Sequence, residues 1–145
     1  MTGCSHRPVH EGLPNLSSCS ITITQAGQPL EGAVVTLTPK EGNAQWIVGG
    51  RTDVKGVAKI LTQMKYSGAP AGNYKVRISK TVTEFGPPAP PKSEDQEGDT
   101  PSTTFTLIPL KFDDVRETPH EITITDGGKN TAAFDVGAAV REKIR

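Results

Sequence analysis

Short apolar runs that alternate with polar residues, each preceded by a turn, constrain this chain more than any other feature. The clearest run covers residues 73–82, in which the apolar side chains of Tyr74, Val76 and Ile78 alternate with polar ones. A period of two places the three apolar side chains on one face of a β-strand. Similar runs predict strands at residues 20–24, 33–38, 45–49, 57–61, 121–125 and 131–136, with a strand or an extended segment at 105–109.

No amphipathic helix of usable length accompanies these runs. About seven short strands separated by glycine- and proline-containing turns predict an all-β fold, an antiparallel sandwich. The turn at 126–129 is expected to join the last two strands as a hairpin. The predicted core consists of the inward-facing residues Ile21, Ile23, Val35, Leu37, Ile60, Tyr74, Val76, Ile78, Ile122, Ile124, Phe134 and Val136.

Composition excludes several classes of function. The 145 residues include 16 basic and 16 acidic side chains, so no long-range field attracts nucleic acid. Aromatic residues make up 5% of the chain, which also argues against a base-stacking surface. No stretch approaches the ~20 consecutive apolar residues of a membrane-spanning helix. No cofactor-binding motif is present, and we expect no cofactor.

Six segments carry a resemblance to a known family. They are PLEGAVVTLTP at 29–39, TDVKGVA at 52–58, PAGNYKVRI at 70–78, TPHEITI at 118–124, DGGKN at 126–130 and FDV at 134–136. Together with the strands around them they cover about two thirds of the chain, and they resemble the carboxypeptidase regulatory-like domains, as in small planctomycete-type lipoproteins. The resemblance implies a transthyretin (prealbumin)-like Greek key, which composition and spacing alone do not distinguish from an immunoglobulin-like topology. It implies architecture and location but no chemistry.

The chain is expected to divide into three parts. Residues 1–18 are polar and resemble a lipoprotein tether, residues 19–137 form the sandwich, and residues 138–145 form a loosely held tail with helical propensity. Within the sandwich, residues 83–103 combine prolines and acids with few apolar side chains. Such a segment buries too little surface to offset its ordering entropy, so we predict a mobile loop there.

The N-terminal residues Thr2, Gly3 and Cys4 resemble the end of a bacterial lipobox, with Met1 where the pattern has leucine. The resemblance implies lipidation at Cys4 and attachment to a membrane of the cell envelope. Ser5 favours the outer membrane. The alternative is a cytoplasmic protein in which Cys4 is incidental, and the upstream genomic sequence separates the two. Cys19 is predicted to be a small buried thiol rather than half of a disulfide.

Candidate functional residues are few. Trp46 and Tyr66 are the aromatic side chains that could contact a sugar ring or a partner. Asp53 and Gly56 are predicted to build a turn, through the Asp53 side chain and a positive φ at Gly56. Metal ligands are not predicted, since Pro8 opposes the helix that His6 and His10 would need to share one face.

No residue set predicts catalysis. The nucleophile elbow Gly-x-Ser-x-Gly is absent, and so are the end motif of hydroxyisourate hydrolases and the tyrosine–histidine set of intradiol dioxygenases. The sequence therefore favours a non-enzymatic, lipid-anchored envelope protein in a structural or binding role, with an envelope protein or a polysaccharide as partner. The alternatives are a soluble carbohydrate- or peptide-binding accessory module and, more remotely, a transthyretin-like hydrolase.

Overall fold

A computed structural model of the chain describes residues 14–41, 45–86 and 101–144. These ranges contain one short 3-10 helix at Leu110–Asp113 and fifteen strands, and the fold class is all-β as predicted. The strands are β1 (Leu16–Ser17), β2 (Cys19–Gln25), β3 (Gln28–Pro29), β4 (Val34–Pro39), β5 (Val48–Arg51), β6 (Val57–Lys59), β7 (Leu61–Thr62), β8 (Tyr66–Ser67), β9 (Ala69–Pro70), β10 (Gly72–Ser79), β11 (Thr81–Phe85), β12 (Ser102–Thr106), β13 (Glu121–Ile124), β14 (Asn130–Asp135) and β15 (Glu142–Lys143).

The largest sheet has six antiparallel strands in the order β13-β10-β4-β5-β7-β8. At its centre Val76 pairs with Leu37 and Ile78 pairs with Val35, so the apolar side chains of β10 and β4 share one face. All four are at most 2% exposed. The period-two pattern in the sequence therefore sets the register of this pair, because a slip of one residue would expose every one of these side chains.

A second sheet has the order β14-β2-β3, and β6 also pairs with β2. Ile21 and Ile23 of β2 are fully buried and join the side chains of β4 and β10 in one apolar cluster. All predicted core residues are buried except Phe134, which is partly buried and packs against the cluster. Cys19 is a buried free thiol, and burial raises its pKa to about 11.

The predicted hairpin between the last two strands is wrong. The strand β13 pairs with β10 in the large sheet, whereas β14 pairs with β2 in the second sheet, and it does so in parallel. The side chain of Asn130 stabilises the chain where it crosses between the sheets. Its Oδ1 accepts a hydrogen bond from the Thr125 N–H at 2.9 Å, and its Nδ2 donates to the Ser18 carbonyl at 3.1 Å, which satisfies the backbone where hairpin partners would be.

Strand breaks raise the strand count above seven. The predicted strand at 57–61 divides at Ile60, since β6 pairs with β2 while β7 pairs with β5 of the large sheet. The backbone of Ile60 bridges the two sheets, because its N–H donates to the Cys19 carbonyl and its own carbonyl accepts from Gly68. The predicted strand at 45–49 begins only at Val48, so Trp46 precedes it.

The boundaries predicted at both ends of the sandwich also change. β1 lies inside the predicted tether at 1–18 and pairs with β9. The tail at 138–145 contains β15 rather than a helical turn, and β15 pairs with β12 because the chain returns along that strand. β11 and β12 pair from Thr81↔Thr106 to Phe85↔Ser102, which shortens the predicted loop at 83–103. Residues 87–100 of that loop lie outside the described residues.

Candidate functional site: a groove at one end of the large sheet

A groove with a volume of about 620 Å³ lies at the end of the large sheet where β4 and β13 stop and β10 and β5 start. Because these strands are neighbours, their ends and the turns beside them meet at one edge. The segment before β1 and the residues around β9 also line the groove. The lining residues are Pro14, Asn15, Pro39, Glu41, Gln45, Trp46, Val48, Pro70, Ala71, Gly72, Asn73, Tyr74 and Asp126.

Trp46 supplies the largest aromatic surface in the groove and is half-buried. The next residue, Ile47, is fixed by two hydrogen bonds to Gln63: its N–H donates to Oε1 at 2.7 Å, and its carbonyl accepts from the Gln63 N–H at 2.6 Å. Gln63 itself lies in the turn between β7 and β8, with a positive φ of 58°. These bonds tie the segment carrying Trp46 to the neighbouring turn and so restrict where the indole lies.

Tyr74 is the second aromatic residue that lines the groove. Its side chain is 5% exposed, and its hydroxyl donates a hydrogen bond to the Pro70 carbonyl at 2.8 Å. Burial raises the pKa of this hydroxyl, with a smaller contribution from Cys19. The hydroxyl therefore stays protonated near neutral pH and holds β9 against the start of β10.

Polar side chains also line the groove. Asn73 is exposed at the start of β10, and its Oδ1 accepts a hydrogen bond from the Thr123 hydroxyl at 2.7 Å. Asp126 follows β13, in a turn whose Gly127 N–H donates to the Ser17 hydroxyl at 2.8 Å. Glu41 follows β4. The groove thus offers amide and carboxylate groups next to an aromatic face, which is a common composition for a ligand site.

The other predicted site residues lie elsewhere. Tyr66 pairs with Thr62 at the far edge of the large sheet, with Lys65 Nζ 5.4 Å from its ring centroid, and it does not line the groove. The Asp53 carboxylate accepts hydrogen bonds from the N–H groups of Lys55 and Val57 at 2.9 and 3.0 Å, which lowers its pKa. Gly56 in the same turn has a φ of +79°. Cys4, His6 and His10 lie outside the described residues.

Neither a metal centre nor a membrane-spanning helix is found in the part of the chain that the structure describes. In residues 14–41, 45–86 and 101–144 no three histidine, cysteine or acidic side chains converge to hold a metal ion. Within the same ranges no helix has the length and apolar character needed to cross a bilayer. The third histidine, His120, is packed between the rings of Phe112 and Phe134, at centroid distances of 5.3 and 4.6 Å.

Sequence reasoning missed the polar members of the groove. Asn73, Asp126 and Glu41 are far apart in sequence, and only the strand order β13-β10-β4-β5 brings them to one edge. The usable signal was that each of them lies at the start of a strand or within two residues of the end of one. Without the order of the strands, that signal does not identify which ends are neighbours.

Comparisons with known proteins show distant structural likeness only. No protein-family model and no curated protein matches the chain. It is similar to a crystal structure of BcpA*(D312A), the major pilin subunit of Bacillus cereus, with 19% identity, a TM-score of 0.46 and coverage of 90% of this chain and 31% of the pilin chain. It is also similar to a 9R-lipoxygenase from Cyanothece PCC8801, with 14% identity, a TM-score of 0.34 and coverage of 94% and 18%. The chain thus spans less than a third of either protein.

Proposed function

We propose that this chain is a non-enzymatic, lipid-anchored protein of the cell envelope whose sandwich binds a polysaccharide in the groove at Trp46. The observation that carries the proposal is the half-buried indole beside amide and carboxylate side chains in one open groove. A pyranose ring has an apolar C–H face and a rim of hydroxyl groups. An aromatic face next to Asn73 and Gln45 is complementary to both, since amides donate and accept hydrogen bonds.

The position of the groove favours a saccharide over a peptide. Extended peptides are commonly recognised by adding a strand along an open sheet edge, where backbone groups supply the affinity. This groove runs across the ends of β13, β10, β4 and β5 instead, so ladder pairing with those strands is not available along it. Recognition here depends on side chains, as it does for a sugar.

The N-terminal anchor fits this location. Pro14 and Asn15 line the groove, and Pro14 is ten positions after Cys4. A fully extended chain spans at most ~3.6 Å per residue, so a lipid on Cys4 would keep the groove within roughly 36 Å of the membrane surface. The resemblance to regulatory-like domains of small lipoproteins supports the same placement.

Isothermal titration of the full chain tests the binding function. The probes are β-1,4-linked hexamers of glucose, N-acetylglucosamine and glucosamine. We expect at least one to bind, and Trp46→Ala to weaken that affinity about tenfold or more, as truncation of a central aromatic contact does. Tyr66→Ala, which removes an aromatic ring outside the groove, is the matched control and should leave the affinity unchanged.

Two results would contradict the binding proposal. One is the absence of binding to all three hexamers, and the other is equal binding by the Trp46→Ala variant. Release of new reducing ends during incubation with a hexamer would contradict the non-enzymatic part instead.

Lipidation is tested separately, by expressing the complete gene in its host with a labelled fatty acid. We expect label in the membrane fraction for the native protein and none for Cys4→Ser, while Cys19→Ser should keep the label because that thiol is buried. If the native protein carries no label, the proposal of lipidation at Cys4 is wrong, and the proposal of saccharide binding in the groove is unaffected.

A further inference from the structure

The charge of the groove points to a narrower class of ligand. We propose that it selects saccharides that carry free, protonated amino groups over their N-acetylated and anionic counterparts. This inference rests on the proposed function, because it assumes that a sugar occupies the groove. It is based on the ionisable side chains that line the groove and on the ion pairs formed by Lys40 and Lys75.

Among the described residues that line the groove, the ionisable groups are two carboxylates and the hydroxyl of Tyr74. Glu41 and Asp126 supply two carboxylates, and no lysine or arginine is among the described lining residues. Both acids are exposed, and neither forms a salt bridge within the described ranges. A cation entering the groove therefore finds two carboxylates without having to displace a bound lysine.

Lys40 and Lys75, which belong to the strand ends near the groove, both pair with a third acid, Glu121. Lys40 is adjacent to Glu41 in the sequence, but its Nζ lies 2.9 Å from Oε1 of Glu121. Lys75 approaches the other oxygen of the same carboxylate, with its Nζ 2.7 Å from Oε2. Hydrogen bonds from Lys75 and Lys40 lower the pKa of Glu121 to about 2. Glu121 thus pairs with both ammonium groups, and neither of them forms a salt bridge with Glu41 or Asp126 in the described ranges.

The two carboxylates are spread along the groove. Glu41 follows β4 and Asp126 follows β13, and the two strands flank β10. Neighbouring strands are ~4.8 Å apart, so the two chain segments are separated by roughly 10 Å. Trp46 lies beyond Glu41, before β5. A sugar ring on the indole would place amino groups of this ring and of the following rings near Glu41 and then near Asp126.

The test compares the hexamers of glucosamine and N-acetylglucosamine at pH 6, where most of the glucosamine amino groups are protonated and ordinary carboxylates are ionised. We expect the glucosamine hexamer to bind at least fivefold more tightly in 20 mM salt, and the preference to shrink at 300 mM because exposed charges are screened. Glu41→Gln and Asp126→Asn should each weaken its binding about two- to fivefold. The double variant should lose the preference.

The controls separate charge from fold and from shape. Both substitutions are nearly isosteric at exposed positions, so affinity for the N-acetylated hexamer should stay within twofold. Glu117→Gln, an exposed acid that does not line the groove, should change neither affinity. Circular dichroism of each variant verifies the fold.

Each outcome has a distinct meaning. Binding of the N-acetylated hexamer through Trp46 with equal or higher affinity would overturn this inference and leave the proposed function intact. Failure of both hexamers, and of the glucose hexamer, would overturn the proposed function as well. If hexalysine binds more tightly than the glucosamine hexamer and depends on Trp46, the ligand is a basic peptide and the inference is wrong.

Discussion

Two aromatic residues at the same end of the large sheet lie in different environments. Tyr74 is 5% exposed, lies in the register of β10 and closes its hydrogen bond on the Pro70 carbonyl. Trp46 precedes its strand, is half-buried and faces the groove. Tyr74 belongs to the interior, where the alternation of apolar and polar residues along a strand determines which side chains are buried. Trp46 belongs to the rim of the groove, where the ends of the strands and the turns determine which side chains lie there. Stability should therefore depend on the interior and the turns that support it, and binding on the rim.

The largest effect on stability is expected in the interior. Ile78→Ala removes a fully buried side chain next to Val35, and such truncations leave a cavity. We expect a loss of about 2–5 kcal/mol in the free energy of unfolding, measured by chemical denaturation. Val34→Ala, at a position 43% exposed on β4, is the control and should cost within ~0.5 kcal/mol. Equal effects at the two positions would contradict the described register.

The turn at Gly56 tests whether local geometry supports the interior. A Cβ at Gly56 would lie 2.6 Å from the Ile23 carbonyl oxygen, and the backbone has a φ of +79°. We expect Gly56→Ala to cost about 1–3 kcal/mol. Gly127→Ala has the same φ, +78°, but nothing within 4 Å of the added Cβ, so it isolates the backbone strain. A Gly56→Ala variant no less stable than Gly127→Ala would show that the close contact has no energetic role.

The pH dependence of stability should come from His120, at the opposite end of β13 from the groove. Burial lowers its pKa, although the backbone carbonyl and carboxylate of Asp135 oppose the change. Its Nε2 is buried and has no hydrogen-bond partner among the residues that the structure describes. The unfolded chain, with a histidine pKa near 6.5, binds the proton more readily than the folded chain does, so stability falls as pH falls below about 6.5.

The slope from one such group cannot exceed about 1.4 kcal/mol per pH unit. His120→Phe retains a ring between Phe112 and Phe134 and removes the titration, so its stability should be nearly constant between pH 7 and 5. The carboxylates of Asp53 and Asp135, whose pKa values are lowered, affect stability only in a lower pH range, and they are present in both proteins. An unchanged slope in the variant would exclude His120 as the source.

The smallest effect is expected for the acidic segment. The Gly86 N–H donates to the Pro101 carbonyl at 2.9 Å, so the two ends of the segment already meet at the tip of β11 and β12. Replacing residues 88–99 with two glycines should change stability by only about 1 kcal/mol, since closure entropy depends weakly on loop length. A fall of many degrees in Tm would show that the segment packs against the sandwich.

Alternation in the sequence predicted the interior because burial of a strand face depends on local spacing alone. The faces of β2, β4 and β10 and the strand nature of residues 121–124 followed from it. The pairing of the strands could not be predicted in this way. The sequence of β13, the turn and β14 is typical of a hairpin, but in the structure the Asn130 side chain accepts the hydrogen bond from the Thr125 N–H. The tail at β15 and the strand β1 were missed because both gain their order from distant strands. The sequence identifies Trp46 as a candidate, but the polar residues near it in the groove cannot be predicted without the order of the strands.

The most direct test of the account uses the fact that Trp46 is the sole tryptophan of the chain. Its fluorescence therefore reports on the groove without interference from a second indole. On titration with the glucosamine hexamer, we predict a saturable change in the emission of Trp46. The affinity derived from this change should be lower for the Glu41→Gln, Asp126→Asn double variant and unchanged for Tyr66→Ala. If the emission stays constant while the glucose, N-acetylglucosamine and glucosamine hexamers are each raised to millimolar concentration, the groove at Trp46 is not a saccharide site.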